Sequence, residues 1–309
     1  MVSAGSVCIV MATYNGAALL PVQLQSFAGQ SLPPTRLVVS DDGSRDATRQ
    51  VIADWAAAHP TIKVDIHDGP QRGAGQNFLS LLRRPVDEDF LSISDQDDIW
   101  LESKLAAATA ALTALPRDVP ALYCGRTWEV KDALHRRRLS RGAPRGPAFA
   151  HALVQNIAGG NTMVLNRAGA EAVRAAAQQT GAIVIHDWWI YQVITGIGGR
   201  VLFDEVPHVL YRQHGGNEIG ANRGVRATLM RAHALASGRF SEWCACNVAA
   251  LRAIAPMLTP QNRALLESFA AARSLPPLQS LAAIRRAGLY RQGLRGQLSL
   301  YAGALLGRL

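Results

Sequence analysis

The first third of the chain alternates short apolar runs, rich in valine and isoleucine, with longer amphipathic stretches. This alternation is typical of βαβ units, which build a mostly parallel sheet covered by helices. The apolar runs predict strands at residues 7–12, 36–40, 63–67 and 90–94. The stretches between them predict helices at 18–30, 46–59 and 75–84, with Ser44 as the N-cap of the second. We therefore expect an α/β fold, with ligands outside the carboxyl ends of the strands.

The rest of the chain is more varied. It predicts a helix at 101–115, a strand at 121–129, an arginine-rich loop at 131–147, strands at 161–166 and 200–203, and a helix beginning near His186. From about residue 224 the pattern becomes helical with proline breaks. A chain of 309 residues with 49% hydrophobic residues is long enough for one large core and an appendage.

The cysteines and the N-terminus predict a cytoplasmic protein. Four cysteines are too few for a disulfide framework, and no CxxC pair suggests a zinc site, so a reducing compartment is expected. The first residues lack a secretory signal, and no apolar run approaches the roughly 20 residues of a membrane-spanning helix.

The formal charge of +9 would attract phosphates, nucleic acid or an anionic membrane surface. Much of the excess lies in two groups of arginines: Arg136, Arg137, Arg138, Arg141 and Arg145, and then Arg285, Arg286, Arg291, Arg295 and Arg308. These arginines are not interleaved with aromatic residues as single-strand binders require, so we expect no nucleic-acid partner.

Three carboxylates follow the predicted strand 90–94. Asp95, Asp97 and Asp98 repel one another, so a bound cation would make their proximity tolerable. Clusters of oxygen ligands favour Mg²⁺ or Mn²⁺, which in turn bind a diphosphate. The alternative is an acidic turn that caps the next helix.

Two further polar segments follow predicted strands. In the segment DDGS, one of Asp41 and Asp42 is suited to accept hydrogen bonds from a base or a ribose hydroxyl, while the other shapes the turn. In the segment TYNG, Tyr14 is suited to stack on a base. Each segment alone is equally consistent with a plain turn.

Together these motifs resemble a known family. The segments ATYNG, VVSDDGS and LSISDQDDIW, in this order and spacing, resemble the inverting family 2 glycosyltransferases, which have the GT-A fold. The resemblance covers about residues 5–220. The segments SDQDDIW, GGNTMVLNR, HDWW and YRQHGGN are similar to the rhamnosyltransferase-type members that build bacterial surface polysaccharides. The resemblance implies a catalytic domain at 1–222 and a helical C-terminal region at 223–309. Within the catalytic domain, the nucleotide-sugar half extends to about residue 115 and the acceptor half begins at about 116.

The resemblance also implies roles for individual residues on the donor side. It assigns nucleotide-sugar binding to Thr13, Tyr14, Asn15, Asp41, Asp42, Asn77, Asp95 and Arg212. Asp95 and Asp97 match the DxD pair, in which the first carboxylate reaches the ribose or the metal and the second binds the metal. Asp98 either holds the loop or assists as a ligand. Arg212 is suited to neutralise charge on a departing diphosphate.

Other implied roles concern the acceptor and the metal. Asp187 matches the catalytic carboxylate, the general base, and the alternative is that it only caps a helix. His186 stands where an acidic residue is common, and His214 resembles a late metal ligand, with a structural role as its alternative. Gly160 and Asn161 match a turn facing the acceptor, or form a plain turn. Trp188 either lines the sugar site or belongs to the core.

The sequence thus predicts a metal-dependent inverting glycosyltransferase that uses Mn²⁺ or Mg²⁺. The expected donor is a dTDP- or UDP-linked sugar, with L-rhamnose suggested by the resemblance, and the expected acceptor is a glycan or a lipid-linked molecule. The alternatives are a nucleotide-sugar-binding protein without catalysis and a sugar nucleotidyltransferase. The latter would need a glycine-rich basic loop after the first strand, whereas ATYNGAALLP has one glycine and no Lys or Arg.

The C-terminal region leaves two interpretations open. Its leucine- and alanine-rich helical segments carry arginines, which suits contact with an anionic membrane surface at the inner face of the cell membrane. The alternative is a helical cap on the catalytic domain or a contact between copies in a homo-oligomer.

Overall fold

A computed structural model describes residues 5–130, 137–213 and 238–309. The strands are β1 (Val7–Thr13), β2 (Arg36–Asp41), β3 (Lys63–Asp68), β4 (Phe90–Ser94), β5 (Ile99–Trp100), β6 (Ala121–Gly125), β7 (Trp128–Val130), β8 (Arg137–Leu139), β9 (Val164–Asn166), β10 (Arg200–Asp204) and β11 (Val209–Arg212).

The α-helices are α1 (Leu20–Ala28), α2 (Thr48–Ala58), α3 (Ala74–Leu82), α4 (Lys104–Thr113), α5 (Phe149–Ala152), α6 (Arg167–Gln179), α7 (His186–Gly196), α8 (Arg239–Ala253), α9 (Pro260–Ala272), α10 (Pro277–Arg286) and α11 (Gly293–Leu305). Short 3₁₀ turns lie at Gly160–Thr162 and Ala255–Met257.

The main sheet has seven strands in the order β10-β6-β9-β4-β1-β2-β3. Its strands pair in parallel except for β9, which runs antiparallel to both neighbours. The predicted α/β fold with a mostly parallel sheet is therefore confirmed. Thr13 lies opposite Asp41, and Asp41 lies opposite Asp68, so the carboxyl ends of three strands meet at one edge. Met11 lies opposite Ser94, which places the acidic segment after β4 at that same edge.

Both faces of the sheet are covered, which explains why β1 is apolar at nearly every position. Val7, Ile9 and Met11 pack in one cluster with α1, α2 and α4. Cys8 and Val10 face the other cluster, which contains side chains of α3, α6 and α7.

The C-terminal helices belong to that second cluster. Leu251 of α8, Phe269 of α9 and Leu300 of α11 are buried together with Leu91 and Ile93 of β4. The C-terminal helices therefore share a core with the sheet. The predicted domain boundary at residue 222 lies outside the described residues.

A second, small sheet has the order β5-β11-β7-β8. Its strand β5 directly follows the acidic segment and pairs with β11, which ends at Arg212. This pairing brings Arg212 to the acidic segment, although the two lie far apart in sequence.

Four local predictions are wrong. The predicted strand 121–129 is two strands, β6 and β7, which belong to different sheets. The predicted strand 161–166 begins as a 3₁₀ turn, and only β9 is extended. The predicted loop 131–147 contains β8, which pairs with β7. Ser44 does not cap α2, because its hydroxyl donates to Asp41 instead.

Two further features concern the whole described chain. Cys8, Cys124, Cys244 and Cys246 are all free thiols. Within the described ranges, each helix is too short or too polar to span a membrane.

Candidate active site

The carboxyl end of β2 holds the best-ordered carboxylate at the sheet edge. Asp41 is buried, and its Oδ1 accepts hydrogen bonds from Thr13 Oγ1 at 3.0 Å and from Ser44 Oγ at 2.5 Å. The backbone N–H of Ser44 donates to Asp41 Oδ2 at 3.1 Å. These bonds join the ends of β1 and β2, so the two residues that the resemblance assigns to the nucleoside lie in direct contact.

The neighbouring carboxylate shapes a loop. Asp42 accepts from the backbone N–H groups of Gln71, at 2.6 Å, and Gly73, at 2.9 Å. Both donors have a left-handed backbone, with φ of 55° and 84° respectively. The Asp42 side chain therefore fixes the loop between β3 and α3, which agrees with the expectation that one aspartate of the pair sets up a turn.

Asn77 is placed behind the sheet edge. Its Nδ2 donates to the carbonyl of Ser40 at 2.8 Å, and its Oδ1 accepts from Ser40 Oγ at 2.5 Å. The residue is buried, so its amide ties α3 to β2. Direct contact of this side chain with the nucleotide stays a prediction.

Tyr14 and Asn15 follow β1 at the same edge. The Gln96 side chain accepts a hydrogen bond from the N–H of Tyr14 and donates one to its carbonyl, each at 3.0 Å. Tyr14 itself is 55% exposed. Asn15 has a φ of 46°, and its Oδ1 accepts from the N–H of Arg45 at 2.8 Å. Gln96 belongs to the acidic motif and connects that motif to the TYNG turn, a role that the sequence did not predict.

The three carboxylates of the acidic segment are not equivalent. Asp98 is fully buried, accepting from Asn161 Nδ2 at 2.5 Å and from the N–H of Arg212 at 3.1 Å. Burial, and then the nearby Asp97 carboxylate, raise the pKa of Asp98. Asp95 and Asp97 are only partly buried. Of the two roles left open for Asp98, holding the loop is the one that these contacts support.

A lysine lies behind the acidic segment. Lys104 is 1% exposed, its Nζ donates to Ser92 Oγ at 2.8 Å, and it lies 3.3 Å from the centre of the Trp100 ring. Burial lowers the pKa of Lys104 well below its usual value, while the charge of Asp98 opposes this shift. The sequence reasoning missed this residue; the signal was a lysine among the alanines and leucines of α4.

The donor atoms at the sheet edge fit a divalent metal. Within residues 5–130, 137–213 and 238–309 no group of three or more His, Cys, Asp or Glu side chains surrounds a common point. Mg²⁺, however, is usually held by one or two carboxylates together with substrate phosphates. Asp95 and Asp97 would supply those carboxylates, and His214 lies outside the described residues.

Arg212 borders the acidic segment on the other side. Its Nε donates to the carbonyl of Asp97, and its NH2 group donates to the carbonyl of Leu19 at 3.0 Å. The guanidinium is about half-buried, and burial lowers its pKa, whereas the charges of Asp97 and Asp98 raise it. Arginine keeps its charge in proteins. A fixed positive charge therefore lies beside the carboxylates.

Asp187 lies in the first turn of α7, across the site. Its Oδ2 accepts from the N–H of Gly160 at 3.1 Å, and its Oδ1 accepts from the N–H of Trp188. Burial raises the pKa of Asp187 to about 6, although these backbone bonds and the side chain of Asn156 lower it. A carboxylate with such a pKa is a stronger base than an exposed one. The sequence reasoning gave Asn156 no role.

His186 directly precedes Asp187 in the chain. Its ring stacks on Phe78 with a centroid distance of 3.6 Å and an angle of 20°. Burial lowers the pKa of His186 to about 3, so the ring is neutral. Its Nε2 is buried and has no hydrogen-bond partner in the described part of the chain. The neighbour of Asp187 is thus an uncharged ring.

The other residues expected near an acceptor face inward. Asn161 is buried and bonded to Asp98. Trp188 is 4% exposed, its Nε1 donates to the carbonyl of Ala152 at 2.6 Å, and its ring stacks near Phe240. Of the two interpretations of Trp188, these contacts support the core.

The short turn Gly160–Thr162 joins the two halves of the site. Gly160 donates to Asp187, and the next residue, Asn161, donates to Asp98. Asp187 and the acidic segment are therefore held at neighbouring positions of one turn.

Comparison with known proteins identifies the family of this chain. A family model described as Glycosyl transferase family 2 matches residues 8–169, more than half of the chain. The dTDP-rhamnosyl transferase RfbG of Shigella flexneri is 29% identical over 233 residues, which are 72% of this chain and 77% of that protein.

Solved glycosyltransferase structures have the same fold. A mannosyltransferase of Pyrobaculum calidifontis, in complex with GDP-Man and Mn²⁺, aligns over 98% of this chain and 80% of its own, with a TM-score of 0.53 and 20% identity. Residues 1–349 of S. aureus TarS, in complex with UDP-GlcNAc, align over 97% of this chain and 90% of that fragment, with a TM-score of 0.58 and 12% identity.

Proposed function

The chain belongs to glycosyl transferase family 2 and has the GT-A fold, and on that premise we propose that it transfers a sugar with inversion. The sugar moves from a nucleotide diphosphate donor to an acceptor hydroxyl in a metal-dependent reaction. The observation that carries the proposal is the turn Gly160–Thr162, which contacts Asp187 and the acidic segment through consecutive residues.

On the donor side, the base and the ribose lie at the edge formed by β1 and β2. The Asp41 carboxylate, fixed by Thr13 and Ser44, accepts hydrogen bonds from the nucleoside. The exposed ring of Tyr14 stacks on the base. Asn15 and Asp42 shape the surrounding turns through their bonds to the backbone.

The diphosphate lies at the acidic segment. Asp95 and Asp97 would hold Mn²⁺ or Mg²⁺, which when bound would neutralise charge on the departing diphosphate. Arg212 adds a fixed positive charge, because its guanidinium is held against the carbonyls of Asp97 and Leu19.

On the acceptor side, Asp187 removes the proton of the attacking hydroxyl. Its Oδ2 is oriented by the N–H of Gly160, and the raised pKa favours proton transfer to the carboxylate. The hydroxyl oxygen bonds to the anomeric carbon as the bond to the diphosphate breaks. A single displacement of this kind inverts the configuration.

The proposed donor is dTDP-linked L-rhamnose, and the acceptor is a glycan or lipid-linked molecule of bacterial surface polysaccharide synthesis. The support for the donor is the similarity to a relative named as a dTDP-rhamnosyl transferase. A UDP-linked sugar is the alternative donor, because TarS, whose fold is shared, was solved with UDP-GlcNAc.

The test is a thermal-shift and donor-hydrolysis panel of dTDP-, UDP- and GDP-sugars, with and without Mn²⁺. We expect dTDP-rhamnose to stabilise the wild type only with metal, Asp97→Ala to lose this response, and Asp187→Asn to bind the donor without turnover. Asp118→Ala is the control, since Asp118 is exposed in the turn before β6. If the wild type binds a sugar nucleotide but never turns over with any acceptor, the protein is a binding protein. If no sugar nucleotide binds, the proposal fails.

A further inference from the structure

Helix α11 exposes a row of leucines. Leu294, Leu298 and Leu305 are 76%, 56% and 41% exposed. Their spacing of four and eleven residues puts them within about 40° of one another around a helix. The buried residues of α11, Leu300, Gly303 and Ala304, face the protein core. We call the three exposed residues the leucine row.

The chain segment that contains the leucine row carries positive charge and no carboxylate side chain. Residues 268–309 contain six arginines and neither aspartate nor glutamate. Arg285 and Arg286 at the end of α10, Arg295 in α11 and Arg308 after it are all exposed. Helices α10 and α11 pack against each other, so these arginines lie on or next to the helix that carries the leucine row or its neighbour, and we call them the flanking arginines.

The leucine row begins near the acceptor side of the site. Just before α11, Arg291 Nε donates to the carbonyl of Val154 at 2.9 Å, and the N–H of Gln292 donates to Gln155 Oε1 at 2.8 Å. The next residue, Asn156, is close enough to Asp187 to lower the pKa of that carboxyl. The start of α11 is therefore bound to residues that adjoin Asn156, a neighbour of Asp187.

We propose that the leucine row and its four flanking arginines dock the protein on an anionic phospholipid surface. Leucines in a row with arginines beside them match the acyl boundary and the phosphate groups of a bilayer. A second copy of the chain is a poorer occupant. Twofold pairing of this face would bring the arginines of both copies together, with no carboxylate in residues 268–309 to neutralise them.

The test is flotation of the full chain with vesicles of phosphatidylcholine, alone or mixed with phosphatidylglycerol. We expect binding only to the mixed vesicles, weakened by salt because charges at a surface are screened. Leu294→Gln/Leu298→Gln/Leu305→Gln should weaken binding by about a hundredfold. Each exposed arginine replaced by glutamine should weaken it by about fivefold.

The control is Val206→Gln, which removes a 58% exposed apolar side chain elsewhere. It should bind as the wild type does, and circular dichroism melting should show all variants folded. No binding to mixed vesicles, equal binding to both vesicle types, or unchanged binding of the triple variant would overturn the proposal. So would a dimer in analytical ultracentrifugation that the triple variant dissociates, because the leucine row would then be a contact between copies.

Vesicle binding is measured without donor or acceptor, so its outcome is separate from that of the proposed reaction. A protein that floats with vesicles but hydrolyses no donor would retain the docking surface and lose the proposed activity. A protein that transfers sugar but does not float with vesicles would have the proposed activity and lack the docking surface.

Discussion

Asn161 Nδ2 lies 2.5 Å from Asp98 Oδ2, and both side chains are buried. The preceding residue, Gly160, donates to Asp187. The position of the proposed base therefore depends on the same short turn that fixes the acidic segment.

Asn161→Ala should disturb both fold and catalysis. It leaves a buried carboxylate oxygen without its donor, so we expect the free energy of unfolding to fall by about 1–3 kcal/mol. The apparent affinity for Mn²⁺ should also weaken by about tenfold, because Asp98, which directly follows the proposed ligand Asp97, loses its hydrogen-bond donor. Urea unfolding and Mn²⁺ titration with donor measure the two effects. Gln261→Ala, an exposed change in α9, is the control, and an unchanged Mn²⁺ affinity would contradict the second expectation.

The transfer rate should depend on the ionisation of Asp187. A general base must be deprotonated, and burial raises the pKa of this carboxyl to about 6, so kcat/KM should rise with pH through about 6. Asp187→Asn should lower the rate by about 10²–10⁴-fold and remove this step. Initial rates measured from about pH 5 to about pH 8 give the profile, because this range includes the expected pKa. A wild-type profile without the step would argue against Asp187 as the base.

The same carboxyl should affect stability with a defined sign. Its folded pKa lies above its model value of 3.8, so its stabilising contribution is full below 3.8 and is lost as the pH rises through about 6. Above that pH the buried charge opposes folding. Asp187→Asn should therefore raise the free energy of unfolding, relative to wild type, by up to about 3 kcal/mol more at high than at low pH. Urea unfolding on both sides of pH 6 tests this, and the reverse trend would contradict it.

Tyr14→Ala should weaken donor binding without affecting the fold. The residue is 55% exposed, and stacking of a base on an aromatic ring contributes about 1–3 kcal/mol. Tyr14→Phe keeps the ring and is the matched control. Calorimetric titration with the nucleoside diphosphate measures the affinity, and equal affinity of the two variants would mean that the ring does not stack.

Leu251→Ala should destabilise the whole chain. Leu251 is fully buried in α8, in the cluster that also contains Leu91 of β4. Loss of its side chain should reduce the free energy of unfolding by about 2–5 kcal/mol in a single transition. Differential scanning calorimetry would reveal two transitions instead if the C-terminal helices unfolded separately from the sheet.

The sequence predicted the sheet edge well because its signals are local. The apolar runs of β1 to β4 are bounded by polar turns, and each predicted strand ends within one residue of the observed one. The order of motifs at strand ends then follows from the parallel topology. These signals sufficed for the fold and the family.

The details of the site depend on distant contacts, which no local pattern contains. Asp95, Asp97 and Asp98 are the same residue type, and the buried one, Asp98, is bonded to Asn161 and Arg212, which are distant in sequence. The burial of Lys104 likewise depends on Ser92 and Trp100.

The packing of Gly160 restricts the order in which this site can change during evolution or in a laboratory library. A Cβ at residue 160 would lie 2.4 Å from His186 Nε2, and the imidazole is held in place by Phe78. Alanine at 160 therefore becomes accessible only after His186 has been replaced by a smaller residue. Libraries that vary one residue at a time would record residue 160 as invariant for a steric reason, whereas paired libraries at 160 and 186 would open it.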